Sequence, residues 1–260
     1  MCAAMASNLA ALVRNLQQRK GRKRRRLAVA EGVRLVEEAL AAGVAFRGAL
    51  HGASFGASGR GARLLRDLAG HAVPVEEISD RTLDQLADTD TPQGVLAVIE
   101  PPAWSLAAVR VAPGAPVVVL DGVQDPGNVG TLLRTAFALG AGGAVLLRGT
   151  ADPGNPKVMR AGMGATFRLP TAVAGDAEFR GWVEQERAAV WAATLDGASL
   201  QRLAPSERLV LIVGSEGAGI RAEIEALAQT RVAIPLARGA ESLNVAVAAG
   251  IILHEVRRGP

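Results

Sequence analysis

The chain has 260 residues, 49% of them hydrophobic and 21% charged, which suits one large packed domain or two modest ones and excludes a generally disordered chain. One cysteine, Cys2, excludes a disulfide framework, and the three histidines, His51, His71 and His254, are too scattered for a metal-ligating pattern. No apolar run approaches the ~18 residues of a membrane span, and the start of the chain lacks the charged and apolar regions of a secretory signal, so the expectation is a cytoplasmic protein with no membrane or metal partner.

The net charge is only +4, but it is unevenly spread. The run RKGRKRRR over residues 19–26 holds seven basic residues, more than the whole net charge, so the rest of the chain is mildly acidic. Such a run points to nucleic acid, with a solvated linker or arm as the bland alternative.

In chain order, residues 8–18 predict a short helix, with Leu9, Leu12, Val13 and Leu16 at helical spacing. After the basic run, EGVRLVEEALAAG predicts a second helix closed by Gly43. A strand at 46–50, a helix at 62–69, a strand at 73–75, a helix at 81–87 and a strand at 94–99 follow. This alternation predicts a small α/β unit over residues 1–102. Residues 101–116 carry four prolines and no periodicity, so 103–115 are read as a linker.

The second part, residues 116–260, opens with an apolar strand at 117–120, the loop DGVQDPGN and a helix at 129–139 for which Asn128 is the expected N-cap. Strands are predicted at 144–147, 169–173, 189–193 and 209–213. Helices are predicted near Val158, at 177–186 and at 221–228. A short strand at 232–234 is stopped by Pro235, and a glycine-containing loop then leads into a helix at 243–253. That helix is apolar almost all round and so should be covered on every side. The strands are continuous apolar runs, as in a parallel sheet buried on both faces. An open doubly wound sheet of this kind binds its ligand at the carboxyl ends of its strands.

Three polar loops follow apolar strands there. In the first, Arg134 lies about 100° round from the centre of its helix's buried stripe, where a snorkelling surface arginine is the bland reading. The second is GSEGAGI, whose glycines allow a ligand close to the backbone. The third leads into the last helix, with Ser242 and Asn244 beside its free backbone N–H groups and positive dipole end; a capping serine and a solvated asparagine are the bland reading. No GxGxxG follows the first strand and no glycine loop carries Lys-Ser/Thr, which disfavours ordinary dinucleotide and P-loop sites.

NVGTLLRTAFALGA, GSEGAGI and IPLARGAESLNVAVA, in this order, resemble the three motifs of the SpoU/TrmH family of RNA ribose 2′-O-methyltransferases. NPKVMRAGMGATFRLP is similar to that family's connecting segment. GVRLVEEALAAG and DTDTPQGVLAVIE resemble the small substrate-binding domain fused to many members. The resemblance implies an α/β chain: a C-terminal parallel-sheet catalytic domain with a deep trefoil knot, preceded by a smaller α/β RNA-binding domain. It also implies S-adenosylmethionine as methyl donor and an obligate homodimer. The knot rests on the resemblance alone, since chain connections are almost never threaded.

A ribose 2′-hydroxyl is a poor nucleophile, so the enzyme must align it with the methyl group and favour loss of its proton. The resemblance puts Arg134 at the family's catalytic arginine, with Asn128 beside it. Because its pKa exceeds ~12, Arg134 is expected to hold the adjacent phosphate and the developing alkoxide rather than act as a free base. Ser242 and Asn244 match the third motif's polar residues, and Glu216 the second motif's glutamate, expected to order the loops or the dimer. Gly214, Ile234, Leu236, Leu243 and Leu195 form the expected cofactor cradle, with apolar side chains around the adenine and backbone groups supplying hydrogen bonds. The expected substrate is ribosomal RNA, because of the extra N-terminal domain. Transfer RNA is the runner-up, and an RNA-binding protein without catalysis and a nicotinamide-dependent oxidoreductase are the readings from other classes.

Overall fold

The computed structural model describes residues 2–258. The chain divides into two units: Met1–Pro102 with Gly154–Phe167, and Ala103–Pro153 with Arg168–Pro260. The connecting segment 154–167 therefore belongs to the first unit, although the chain on either side of it belongs to the second.

The first unit begins with α1 (Cys2–Gln17) and α2 (Arg19–Arg25). The basic run is thus a helix and not a free arm. Its seating explains why: a Cβ on Gly21 would lie 2.0 Å from the Asn15 carbonyl oxygen, so only glycine permits this crossing of α1. Arg22 is buried, and its Nη1 donates to the carbonyls of Leu16 (3.0 Å) and Gln17 (2.8 Å), which the end of α1 leaves unpaired. The other six basic residues of the run are exposed.

The elements β1 (Ala28–Glu31), α3 (Val33–Ala41), β2 (Ala45–Gly52), α4 (Gly59–Gly70), β3 (Val75–Ile78), α5 (Asp80–Leu86) and β4 (Val95–Glu100) complete the N-terminal part. They form a four-stranded sheet in the order β1-β4-β2-β3, in which only β2 and β3 run parallel. Strand β1 was not expected: four residues between a basic run and a helix give too short a pattern to separate from the helix. Its Glu31 is buried and accepts from the backbone N–H groups of Asp88 and Thr89 and from Arg160 Nη1 (3.0 Å). Arg160 comes from the connecting segment and also donates to Asp88 (2.7 Å).

The second unit contains β5 (Val117–Asp121), α6 (Pro126–Ala138) and β6 (Gly143–Leu146), after which α7 (Pro156–Gly162) and α8 (Ala165–Arg168) lead back to it. Then follow β7 (Thr171–Val173), α9 (Asp176–Glu186), β8 (Ala189–Ser199), β9 (Leu209–Gly214), α10 (Ala222–Glu225), β10 (Thr230–Ala233) and α11 (Val245–Arg258). The six strands are all parallel, in the order β10-β8-β9-β5-β6-β7, which is the expected parallel α/β sheet. Phe179, Trp182 and Ile224 pack on one face with Val117, Val190, Val210 and Ile212. Helices α6 and α11 pack on each other, closely enough that a Cβ on Gly250 would lie 3.3 Å from Thr135 Cγ2.

Two local expectations change. The cap of α6 is Asp125, whose side chain accepts from the backbone N–H of Asn128 (2.8 Å), with Pro126 in the first turn; Asn128 lies one turn inside the helix. Helix α11 starts two residues later than expected and is not covered all round: Val247 is 51% and Ile251 37% exposed. Among the described residues no helix could cross a membrane and no side-chain cluster could hold a metal ion.

Candidate functional site

Because the six strands run the same way, the loops after β5, β9 and β10 all emerge at one edge of the sheet. Strand β8 joins them by an excursion: Ala192 pairs with Arg231, but the next residue of β10, Val232, pairs with Ala198, so residues 193–197 leave the ladder. A Cβ on Gly197 would lie 2.5 Å from the backbone of Arg231, which makes glycine the residue that lets this excursion rejoin β10.

These loops enclose a cavity of about 530 Å³, a size that suits a small ligand. Its lining gathers Leu195, Gly214, Glu216, Ile234, Leu236, Ser242 and Leu243 from four separate chain segments. Thr194, Asp196, Glu225 and Arg231 also line it. No pattern in the sequence marks these four: Thr194 and Asp196 lie on the β8 excursion, and Arg231 of β10 pairs with both Asp196 and Glu225. Leu195 is 71% exposed at the tip of that excursion.

A chain of polar contacts joins three loops beside the cavity. Asn128 Nδ2 donates to Glu216 Oε1. Asn244 Nδ2 donates to Asn128 Oδ1 (2.9 Å), and Asn244 Oδ1 accepts from the backbone N–H groups of Ala246 (3.0 Å) and Val247 (3.3 Å). Asn244, and not Ser242, is therefore the cap of α11. Because Asn244 must accept from the helix, its amide is left to donate to Asn128. Asn128 must then donate onward to the carboxylate. The orientation of each group follows from the helix end.

Arg134 is exposed on α6. Helical geometry puts it about 9 Å along the axis and about 120° round from Asn128, so it does not join that chain. It shares the open face of α6 with Thr131 and Thr135, which line a shallow groove with Val247 and Ile251 of α11.

The loop 214–220 closes on itself. Ser215 and Gly219 exchange backbone hydrogen bonds of 3.1 and 3.0 Å, and a Cβ on Gly214 would lie 2.2 Å from the Gly219 carbonyl carbon. Its exit is tied down by Arg221. The Arg221 backbone N–H and Nε each donate at 2.8 Å to Asp121, the fully buried last residue of β5. Both terminal nitrogens reach Asp176 at the start of α9, at 2.7 and 2.8 Å. The Arg221 bond and charge hold the Asp176 carboxyl below its ordinary range, and Asp176 and Asp121 raise the Arg221 guanidinium. The only sequence signal for this network was an aspartate closing an apolar strand.

A family model described as the SpoU rRNA Methylase family matches residues 115–254, and one described as the MRM3-like substrate binding domain matches residues 12–97. The 23S rRNA guanosine 2′-O-methyltransferase RlmP of Bacillus subtilis is 38% identical over 69% of this chain and 71% of its own length. The AdoMet-bound rRNA methyltransferase of Sinorhizobium meliloti superposes with a TM-score of 0.85 at 32% identity, over 96% of this chain and 94% of that one. The SpoU methyltransferase AviRb of Streptomyces viridochromogenes, in complex with AdoMet (S-adenosylmethionine), gives 0.84 at 30% identity over 95% of each chain. With its catalytic-domain match spanning more than half of the sequence, this chain belongs to the SpoU rRNA methylase family.

Proposed function

We propose that this chain is a cytoplasmic, homodimeric enzyme that methylates a ribose 2′-hydroxyl of ribosomal RNA, with S-adenosylmethionine held in the 530 Å³ cavity. The observation that carries the reading is the Glu216–Asn128–Asn244 chain, which ties three loops together beside that cavity. The cavity's chemistry suits the cofactor. Ile234, Leu236, Leu243 and Val245 offer apolar walls for a purine, and Glu216 puts a carboxylate in a lining that must accept a sulfonium cation, while Asp196 and Glu225 are paired with Arg231. When bound, the cofactor supplies an electrophilic methyl group.

The remaining work falls to the chain's own residues. Asn128 and Asn244 fix the α6 and α11 ends of the pocket against Glu216, so the substrate hydroxyl meets a preorganised polar surface in which Ser242 takes part. Arg134 holds a phosphate next to the reacting ribose and stabilises the negative charge that develops on its 2′-oxygen. The exposed side chains of α2 add phosphate contacts outside the site, and with no tyrosine and 3% aromatic residues, charge rather than base stacking supplies the RNA affinity.

The homodimer reading is supported by the α6–α11 face. Val247 and Ile251 of α11 are exposed apolar residues there, in a groove shared with Thr131 and Thr135 of α6, the helix that also exposes Arg134. The same reading includes the knotted path of the family. In its support, α11 returns from the edge strand β10 to pack on α6, the helix that follows a central strand.

A 2′-O-methylated ribose cannot attack its own phosphate, so the modified linkage resists alkali. Incubation with S-adenosylmethionine and total RNA should give alkali-resistant linkages in ribosomal RNA, and sedimentation at micromolar concentration should give a dimer. Labelled RNA whose methylated sites are alkali-sensitive would overturn the ribose assignment, label confined to transfer RNA would overturn the substrate, and a fully active monomer would overturn the assembly.

A further inference from the structure

We infer that Arg221 is a positioning residue for the cofactor: together with Asp121 and Asp176 it holds loop 214–220 in the shape that makes one wall of the cavity and carries Glu216 to Asn128. The inference rests on the cofactor reading proposed above. Every residue of the loop lines the cavity. The loop is shut at its base by the Ser215–Gly219 pair, so its position depends on where the chain leaves at residues 220 and 221. At that point Arg221 is held both through its backbone N–H and through its guanidinium, by carboxylates from two further elements, β5 and α9.

The two carboxylates do different work. Asp121 is 1% exposed, so its charge is costly unless it is paired and hydrogen-bonded. Three Arg221 groups meet that need: the backbone N–H, Nε and Nη2, the last at 2.6 Å. Asp176 is partly open, and takes the outer edge of the fork in a bidentate contact. The planar guanidinium can face both acids at once. A lysine ammonium reaches one of them as a point charge. A surface ion pair of ordinary worth would not need a buried carboxylate or a backbone donor from the same residue.

The test uses the full-length protein and the variants Arg221→Gln, Arg221→Lys and Asp176→Asn, with two readouts. Hydrogen exchange without cofactor should show the amides of residues 215–221 exchanging about tenfold faster in Arg221→Lys, with the β9 amides unchanged. Calorimetric titration with S-adenosylmethionine should show about tenfold weaker binding in both Arg221 variants and a smaller loss in Asp176→Asn, as expected for losing one or two charge-assisted bonds. Turnover at saturating cofactor should recover more fully than the KM, which a general loss of stability would not produce. Should Arg221→Gln fail to fold, Arg221→Lys and Asp176→Asn decide. Wild-type loop exchange in both overturns the clamp. Faster exchange with unchanged cofactor affinity overturns the link to the cofactor. A wild-type protein that binds no S-adenosylmethionine sinks the cofactor reading above, and loop exchange still decides the clamp.

Discussion

Asn244 carries two functions that substitution can separate. As the cap of α11 it satisfies two backbone N–H groups, and through Nδ2 it orients Asn128. Asn244→Ala removes both. Losing the cap costs about 1 kcal/mol, and losing an exposed side-chain bond adds about 0.5 kcal/mol. The sum lowers the melting midpoint by about 3–6 °C for a chain of this size. Asn244→Asp keeps the cap and favours the helix dipole, so stability should stay within about 1 kcal/mol of wild type. It also sets an acceptor against Asn128 Oδ1, and turning the Asn128 amide over only moves the mismatch to Glu216. Turnover should therefore fall by about tenfold or more in Asn244→Asp despite its stability, because the three loops lose their common orientation. Urea unfolding and methyl incorporation, measured on both variants, separate the effects. Full turnover in Asn244→Asp would refute the network as an organiser of the site, and wild-type stability in Asn244→Ala would refute the cap.

Arg134→Ala should leave S-adenosylmethionine binding intact while lowering kcat by about 10² or more, and Arg134→Lys should rescue poorly because it lacks the planar fork; near-normal methyl incorporation by Arg134→Ala would return it to the surface-residue reading. In the basic helix, neutralising Lys23, Arg24 and Arg26 should weaken RNA binding and flatten its salt dependence without changing stability. Arg22→Ala should instead destabilise the first unit by about 1–3 kcal/mol, since it uncovers the carbonyls at the end of α1; equal effects of the two changes on the salt slope would contradict this division.

Sequence alone determined a good deal here. The continuous apolar runs at 117–120, 144–147 and 209–213 read as strands of a sheet buried on both faces, because side chains alternate across a strand and both sets are apolar. The three ordered motifs named the loops at the carboxyl edge, and the five residues expected to cradle the cofactor do line one cavity. Tertiary structure decided the rest. Asn128 reads as a cap from its residue type, but whether Asp125 or Asn128 caps α6 depends on the backbone angles at which the chain enters the helix. The basic run reads as a nucleic-acid-binding arm or a solvated linker because charge is visible in a sequence and a seat is not; Gly21 and Arg22 become structural only when α2 lies across the end of α1. The Asp121–Arg221–Asp176 network joins residues 100 and 45 positions apart. No local pattern records such a pairing, since the free energy that selects it arises only when three elements bring the charges together out of water.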